Sequence, residues 1–201
     1  MTDAYIINAE RTPRGIGKAG RGALAHLHSG RLLAKVLEAI RDRNDLNTDD
    51  IDGLVVGCSS QVGNQGSCVG RMAALDAGWS TKSSAVTLDR FCGSGITSVN
   101  LAAANIMSGM DDLCVAGGVE MMSYTATLTN KTNNRTVDGG NLHLRDLHPQ
   151  PHQGICADMI ATLEGFSRQE LDALAVESQR RAQFAIDHGY FSKSVIPVYN
   201  D

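Results

Sequence analysis

"AVTLDRFCGSGITSVNLAAANIMSGMDDLCVAGG", Ala85 to Gly118, decides the fold. Its two ends, "AVTLD" and "LCVAGG", are short apolar runs of the kind expected from strands covered on both faces. Between them Ile96, Val99, Ala103 and Ile106 recur at helical spacing, which predicts a helix from about Ser94 to Met107. The other side of that helix is mostly small residues, so it is expected to be buried nearly all round. Strand, helix and strand in this order make a parallel crossover unit.

The pattern extends upstream. "AYIINAE" (Ala4 to Glu10) is an apolar run closed by "RTPRG" and is expected to be the first strand. Leu33, Val36, Leu37 and Ile40 mark a helix within Gly30 to Arg43, "LVVGC" (Leu54 to Cys58) a second strand, and "GRMAALDAG" (Gly70 to Gly78) a second helix. Alternating strands and helices, with each strand apolar almost throughout, predict an α/β domain with a mostly parallel sheet and helices on both faces.

Near Glu120 the alternation stops. Met121 to Gln153 is polar and rich in Asn, Thr, His and Gly, with no clear period, so domain boundaries of 1–120 and 121–201 are expected. Order returns at Ser167, which with Glu170 forms an S-x-x-E capping box. Leu171, Leu174, Ser178, Ala182, Ala185 and Ile186 share one face of a helix of about five turns that docks on something, and Gly189 supplies its stop. The tail "SVIPVYND" resembles a strand.

Composition excludes several classes of function. A chain of 201 residues, 42% hydrophobic and 20% charged, is long enough for one substantial core. With a net charge of -4 and scattered Lys and Arg, nucleic acid is not an expected partner. No stretch approaches the roughly 18 apolar residues of a membrane span, and "MTDAYIINAE" is not a secretory signal, so the expected setting is cytoplasmic.

Five cysteines, an odd count without a C-x-x-C pair, give neither a disulfide framework nor a zinc site. The N-x-[ST] matches at Asn130 and Asn134 carry little weight without a secretory signal. His148 and His152 are four residues apart, but Pro149 and Pro151 lie between them, so with His143 just upstream they read as loop residues rather than metal ligands. "GIGKAG" (Gly15 to Gly20) spells G-x-G-x-x-G, yet "RTPR" separates it from the strand and the next helix begins some ten residues later. A phosphate-binding turn needs the glycines to join strand and helix directly, so a loop is the better reading. "CGSGI" does not fit the serine-hydrolase elbow.

Cys92 is the candidate nucleophile. It falls on the turn between a strand ending near Asp89 and a helix beginning near Ser94, at the carboxyl edge where open parallel sheets bind ligands. Gly93 and Gly95 are expected to let the backbone turn sharply and a substrate approach. The open N–H groups of a helix start favour thiolate over thiol and can hold an oxyanion. Lowering a cysteine pKa from about 8.5 to about 7 takes roughly 2 kcal/mol, the upper end of what a helix terminus supplies, so a second partner is required. Cys58, Cys68, Cys114 and Cys156 read as small buried hydrophobes.

Taken together, these segments resemble the N-terminal half of a thiolase, the acetyl-CoA C-acyltransferase family. "RTPRG", "VGNQGSCVGRMAALDAG", "LDRFCGSGITSV" and "AGGVEMMS" resemble family motifs in the family's order. "ESQRRAQFAIDHGYFSKSVIPV" resembles the helix and strand of the family's inserted loop domain, and the likeness spans the whole chain. It implies a thiolase-like layered fold with part of that loop domain, and a reversible acyl transfer in which Cys92 becomes acylated. CoA then takes the acyl group in thiolysis, or an acetyl-CoA enolate does in Claisen condensation.

By the same resemblance His152, Gln153 and Gly154 match the segment that touches bound acyl-CoA, the loop domain covers the pantetheine arm, and the backbone amide of Cys92 helps to form an oxyanion hole. Gln153 stands where methionine is common, "CAD" (Cys156 to Asp158) where Thr-Ala-Glu is usual, and Asp89 where Asn is common. No cofactor is implied, since coenzyme A enters as a substrate.

The family's activating histidine, its second cysteine and its Asn-containing motif belong to a C-terminal half that this chain lacks, so none of those roles falls on a residue here. The implied partners are acyl-CoA and CoA, with a homo-oligomer or a complex with a chain carrying the C-terminal half. An open sheet edge and exposed apolar surface are expected. A non-catalytic, thiolase-derived acyl-CoA-binding or interaction subunit is the alternative. A ketoacyl synthase is a third reading, against which the Arg-Thr-Pro loop and the "SQRRA" helix argue.

Overall fold

The computed structural model describes residues 3–128 and 137–199; the sequence matches at Asn130 and Asn134 lie outside the described residues. At its centre is β1 (Gly53–Gly57), flanked by β2 (Ser84–Leu88) and β3 (Cys114–Gly118) in a parallel sheet of order β2-β1-β3. Leu54, Val55 and Val56 are all buried, because both faces of this central strand are covered. Leu54 and Val56 pack in one cluster with Leu33 and Leu37 of α1 (Ser29–Arg43) and Ala73 and Ala74 of α2 (Val69–Asp76).

Successive strand residues face opposite ways, so Gly57 lies on the other face. There α3 (Ser94–Ser108) comes so close that a Cβ on Gly57 would stand 2.5 Å from the Ser94 carbonyl. The α/β architecture with a parallel sheet and helices on both faces is therefore as the sequence predicts. The register aligns Gly57 with Leu88 on one side and Gly118 on the other, so the loops leaving all three strands begin at one level.

Several expectations need correction. Ala4 to Glu10 forms no strand: Tyr5 and Ile6 are each 81% exposed, and no described strand lies beside this run to take its N–H and C=O groups. Just past this run, Arg11 pairs with Val195 of the strand-like tail in a parallel bridge, where the Ile196 N–H donates to the Arg11 carbonyl (2.9 Å). Nor is α3 buried all round. Ser94, Ser98 and Ala102 face the sheet, while Ile96 is 68% exposed and Val99 and Leu101 are also exposed. Periodicity marks which residues share a face; it does not supply the surface that covers them.

The polar stretch after Glu120 also holds more order than expected, with α4 at Met122–Leu128 and α5 at Leu142–Leu147. By contact the chain divides into two compact units, Met1–Thr129 with Ser194–Asp201 and Asn130–Lys193. The second unit contains α5, α6 (Gln153–Glu164) and α7 (Arg168–Asp187). α6 has no counterpart in the sequence reading; His152 caps its start, and Gly165, in the left-handed region at φ 73°, ends it.

The predicted capping box of α7 is present, with the Ser167 hydroxyl accepting from the Glu170 N–H (3.3 Å) and the Glu170 carboxylate accepting from the Ser167 N–H (2.8 Å). Gly189 follows the helix at φ 66°. The face expected to dock is not buried: no residue of α6 or α7 is, and the interactions along them are local, caps on both helices and i, i+3 or i, i+4 ion pairs on α7. Among the described residues no helix is long and apolar enough to cross a membrane.

Candidate active site

The carboxyl edge of the sheet is tied together by main-chain bonds. The Cys58 N–H donates to the Leu88 carbonyl (2.9 Å) and the Val119 N–H to the Gly57 carbonyl (3.1 Å), which joins the ends of all three strands. Cys92 lies on the loop that leaves β2 and is exposed. The turn is made differently from the sequence reading. Gly93 has φ -86°, which any residue adopts, and Gly95 has open space around it. The residue in the left-handed region is Phe91, at φ 50°, a conformation that costs a bulky side chain about 1–3 kcal/mol.

Side chains on both sides of Phe91 satisfy its backbone. The Phe91 N–H donates to Asp89 Oδ1 (2.7 Å), and the Phe91 carbonyl accepts from Ser94 Oγ (2.6 Å) and from the Ser94 N–H (3.0 Å). Ser94 Oγ in turn accepts the Arg90 N–H (2.9 Å). No side chain caps α3, which begins directly after the Cys92 loop; of its first-turn N–H groups, that of Ser94 is taken by the Phe91 carbonyl. The Asp at position 89, for which the sequence offers no explanation, is thus an acceptor for the turn before the cysteine.

A second cluster fixes the neighbouring loops. Gln65 is fully buried; its Oε1 accepts the Met121 N–H (2.6 Å) and its Nε2 donates to Glu120 Oε1 (3.0 Å) and to the Ser60 carbonyl (3.1 Å). Glu120 Oε2 accepts the Ser59 and Ser60 N–H groups (2.9 and 3.1 Å), so one carboxylate links the loop after β1 to the end of β3. Gln65 and Glu120 sit in the two motif segments "VGNQGSCVG" and "GGVEMMS"; that signal was present, though not the pairing.

Burial, with repulsion from Glu120, pushes the Cys58 thiol up to about 11. Burial and the hydrogen bond to Asp111 (2.9 Å) push the Cys114 thiol up to about 12. Both are therefore held as neutral thiols. Cys58 is buried as expected, whereas Cys68, Cys114 and Cys156 are half-buried.

His152, Gln153 and Gly154 begin α6 in the second unit. His152 is not a plain loop residue: its Nδ1 accepts the Gly154 N–H (3.1 Å) and caps the helix. The same His-x-Gly cap starts α1, where His28 Nδ1 accepts the Gly30 N–H (3.1 Å). His143 lies within α5 and His148 ends it. Cys92 belongs to the sheet unit and the His152 segment to the helical unit, each with its own local geometry. The "GIGKAG" glycines precede α1 without joining a strand to it.

Residues 4–201 match the family described as thiolase, N-terminal domain. The chain belongs to the thiolase family. It is 30% identical to a 3-ketoacyl-CoA thiolase of Psychrobacter cryohalolentis, over 98% of this chain and 48% of that one. It is 35% identical to a probable acetyl-CoA acyltransferase of Staphylococcus aureus, over 98% and 51%. It is 34% identical to a steroid 3-ketoacyl-CoA thiolase of Mycobacterium tuberculosis, over 98% and 50%. This thiolase-family chain thus spans about half the length of the curated relatives it matches.

Proposed function

We propose that this chain carries the acyl-accepting cysteine of a thiolase, an acyl-CoA acyltransferase, and that the cysteine is Cys92. One observation carries the reading: Cys92 is exposed on the turn between a parallel strand and an uncapped helix N-terminus, at the carboxyl edge of the sheet. The other cysteines lack one or more of these features, and two are held as neutral thiols.

In this reading the Cys92 sulfur, having lost its proton to a base, attacks the keto carbon of a 3-ketoacyl-CoA. The bond between that carbon and the α-carbon breaks, its electron pair leaves as the acetyl-CoA enolate, and the enolate takes up a proton. The thiol of a second CoA attacks the acyl-enzyme, and Cys92 leaves with the proton that returns it to the thiol. Run in reverse, the sequence is Claisen condensation. The Cys92 N–H supports the oxyanion. The resemblance assigns the base to residues outside these 201.

His152, Gln153 and Gly154 serve as contacts to acyl-CoA, residues 121–201 as part of a CoA-covering domain and residues 1–120 as the nucleophile-bearing domain. Homo-oligomerisation or pairing with a chain that carries the C-terminal half, a cytoplasmic setting and the absence of a cofactor complete the reading. The alternative is a subunit that binds acyl-CoA without turnover.

Denaturing intact-mass measurement of the purified protein, with and without acetyl-CoA or a 3-ketoacyl-CoA, separates the two. An acyl adduct that disappears on addition of CoA supports the acyltransferase. Saturable acyl-CoA binding with no adduct at any time point supports the binding subunit.

A further inference from the structure

The residue forced into the left-handed region is not the cysteine or a glycine but the phenylalanine before the cysteine, and its backbone is held from both sides. We propose that Asp89 and Ser94 are positioning residues for Cys92: together they hold the Phe91 backbone in the conformation that sets the direction in which the chain delivers the thiol. The inference rests on the reading of Cys92 as the nucleophile.

The two side chains act on different atoms. Asp89 Oδ1 accepts the Phe91 N–H at 2.7 Å, and Ser94 Oγ donates to the Phe91 carbonyl at 2.6 Å while accepting the Arg90 N–H at 2.9 Å. Ser94 is itself fixed. It is 5% exposed, and its backbone lies where a Cβ on Gly57 would meet it at 2.5 Å, so the bracket is anchored on the central strand. Left to itself, a phenylalanine reverts to negative φ, since its Cβ crowds the backbone at φ 50°. Reversion would swing the next residue, Cys92, away from its place beside the first turn of α3.

The chemistry of the bracket defines what each position needs. Position 89 needs an acceptor and not a charge, because its partner is a neutral N–H; asparagine offers the same Oδ1. Position 94 needs a group that donates and accepts at once, which a hydroxyl does and a methyl does not.

The test compares D89A, D89N and S94A with the unchanged protein. The rate at which iodoacetamide alkylates Cys92 is read by peptide mass, with Cys156 in the second unit as internal reference and the thermal unfolding midpoint followed in parallel. This readout requires no acyl-CoA, so it stands even where acyl transfer through Cys92 fails. The expected result is that D89A and S94A lower the Cys92-to-Cys156 rate ratio by about tenfold, as misplacement of a reacting group does, while D89N stays within about twofold.

Acyl-adduct formation from acetyl-CoA should fall in the same order. A Cys92 rate unchanged in D89A and S94A, with only the unfolding midpoint lowered, would reduce both residues to structural ones and overturn the proposal. So would D89N losing as much as D89A, which would make charge the requirement. Where S94A fails to fold, the D89A and D89N pair decides.

Discussion

Leu54 and Leu174 are the same side chain in two regions built on different physics. Leu54 is 1% exposed in the central strand of the sheet unit, whereas Leu174 is 71% exposed on α7 of the helical unit. Around Leu54, two helices and a strand share one buried cluster, and even the loops are tied down through buried Gln65 and the Glu120 carboxylate. Around Leu174, stability comes from residues near in sequence: the Ser167–Glu170 capping box and the pairs from Glu177 to Arg180 (2.6 Å) and Arg181 (2.7 Å). The nucleophile candidate sits in the unit with the shared buried cluster and the proposed acyl-CoA contacts in the unit held by local interactions.

The largest expected break in the comparison is Leu54→Ala, which removes core volume and should cost about 2–5 kcal/mol in chemical unfolding, against within about 0.5 kcal/mol for Leu174→Ala. Comparable losses at both sites would erase the distinction. Next, Gly57→Ala places a methyl against the Ser94 backbone and should cost about 1–3 kcal/mol, while Gly95→Ala, at the very next residue but with open space around its own Cβ position, should be neutral or stabilising by up to about 1 kcal/mol.

Glu120→Gln sharpens the account of the loops. The Met121 N–H fixes the Gln65 amide, so Gln65 Nε2 must meet an acceptor, and the Ser59 and Ser60 N–H groups need another. A carboxylate offers both and an amide only one, so the isosteric change should cost about 1–3 kcal/mol, read as a lower denaturation midpoint. No change would mean that the cluster is held by packing alone.

Changes of pH separate the regions by sign. Cys58 and Cys114 have thiol values raised above the ordinary 9.0, to about 11 and about 12. The stability they contribute is fully present below pH 9 and is lost as pH rises to 11–12, because the unfolded thiols ionise first. Glu177, held down to about 2 by hydrogen bonds from Arg180 and Arg181, contributes stability present above its ordinary 4.5 and lost as pH falls toward 2. Circular dichroism against pH should show the alkaline loss in the sheet unit and a slight acid loss of helix in the other. The exposed Glu177 network is screened by solvent, so its acid effect is the weaker.

The strands β1, β2 and β3 were legible as short, largely apolar runs, but only the central β1 is covered on both faces: Val86 of β2 is 51% exposed, and no residue of β2 or β3 is buried. The α7 start was legible because a capping box is a local pattern. Ala4 to Glu10 reads as a strand by composition, but a strand exists only with a neighbour to share its hydrogen bonds, and no local pattern reports that neighbour. The exposed side of α3 was misread for the same reason.

At the candidate site, Cys92 was legible from its place between strand and helix. The glycines drew attention away from Phe91, because left-handed backbone is ordinarily read from glycine and asparagine. Asp89 and Ser94 act through hydrogen bonds to backbone atoms four or fewer residues away, which residue types alone do not announce.

The most direct test of the central claim is to find which of the five cysteines carries the acyl group after incubation with a 3-ketoacyl-CoA or acetyl-CoA, by peptide mapping under acidic quench. The account predicts the adduct on Cys92 and its loss in Cys92→Ser. An adduct on Cys68, Cys114 or Cys156 that persists in Cys92→Ser would contradict it.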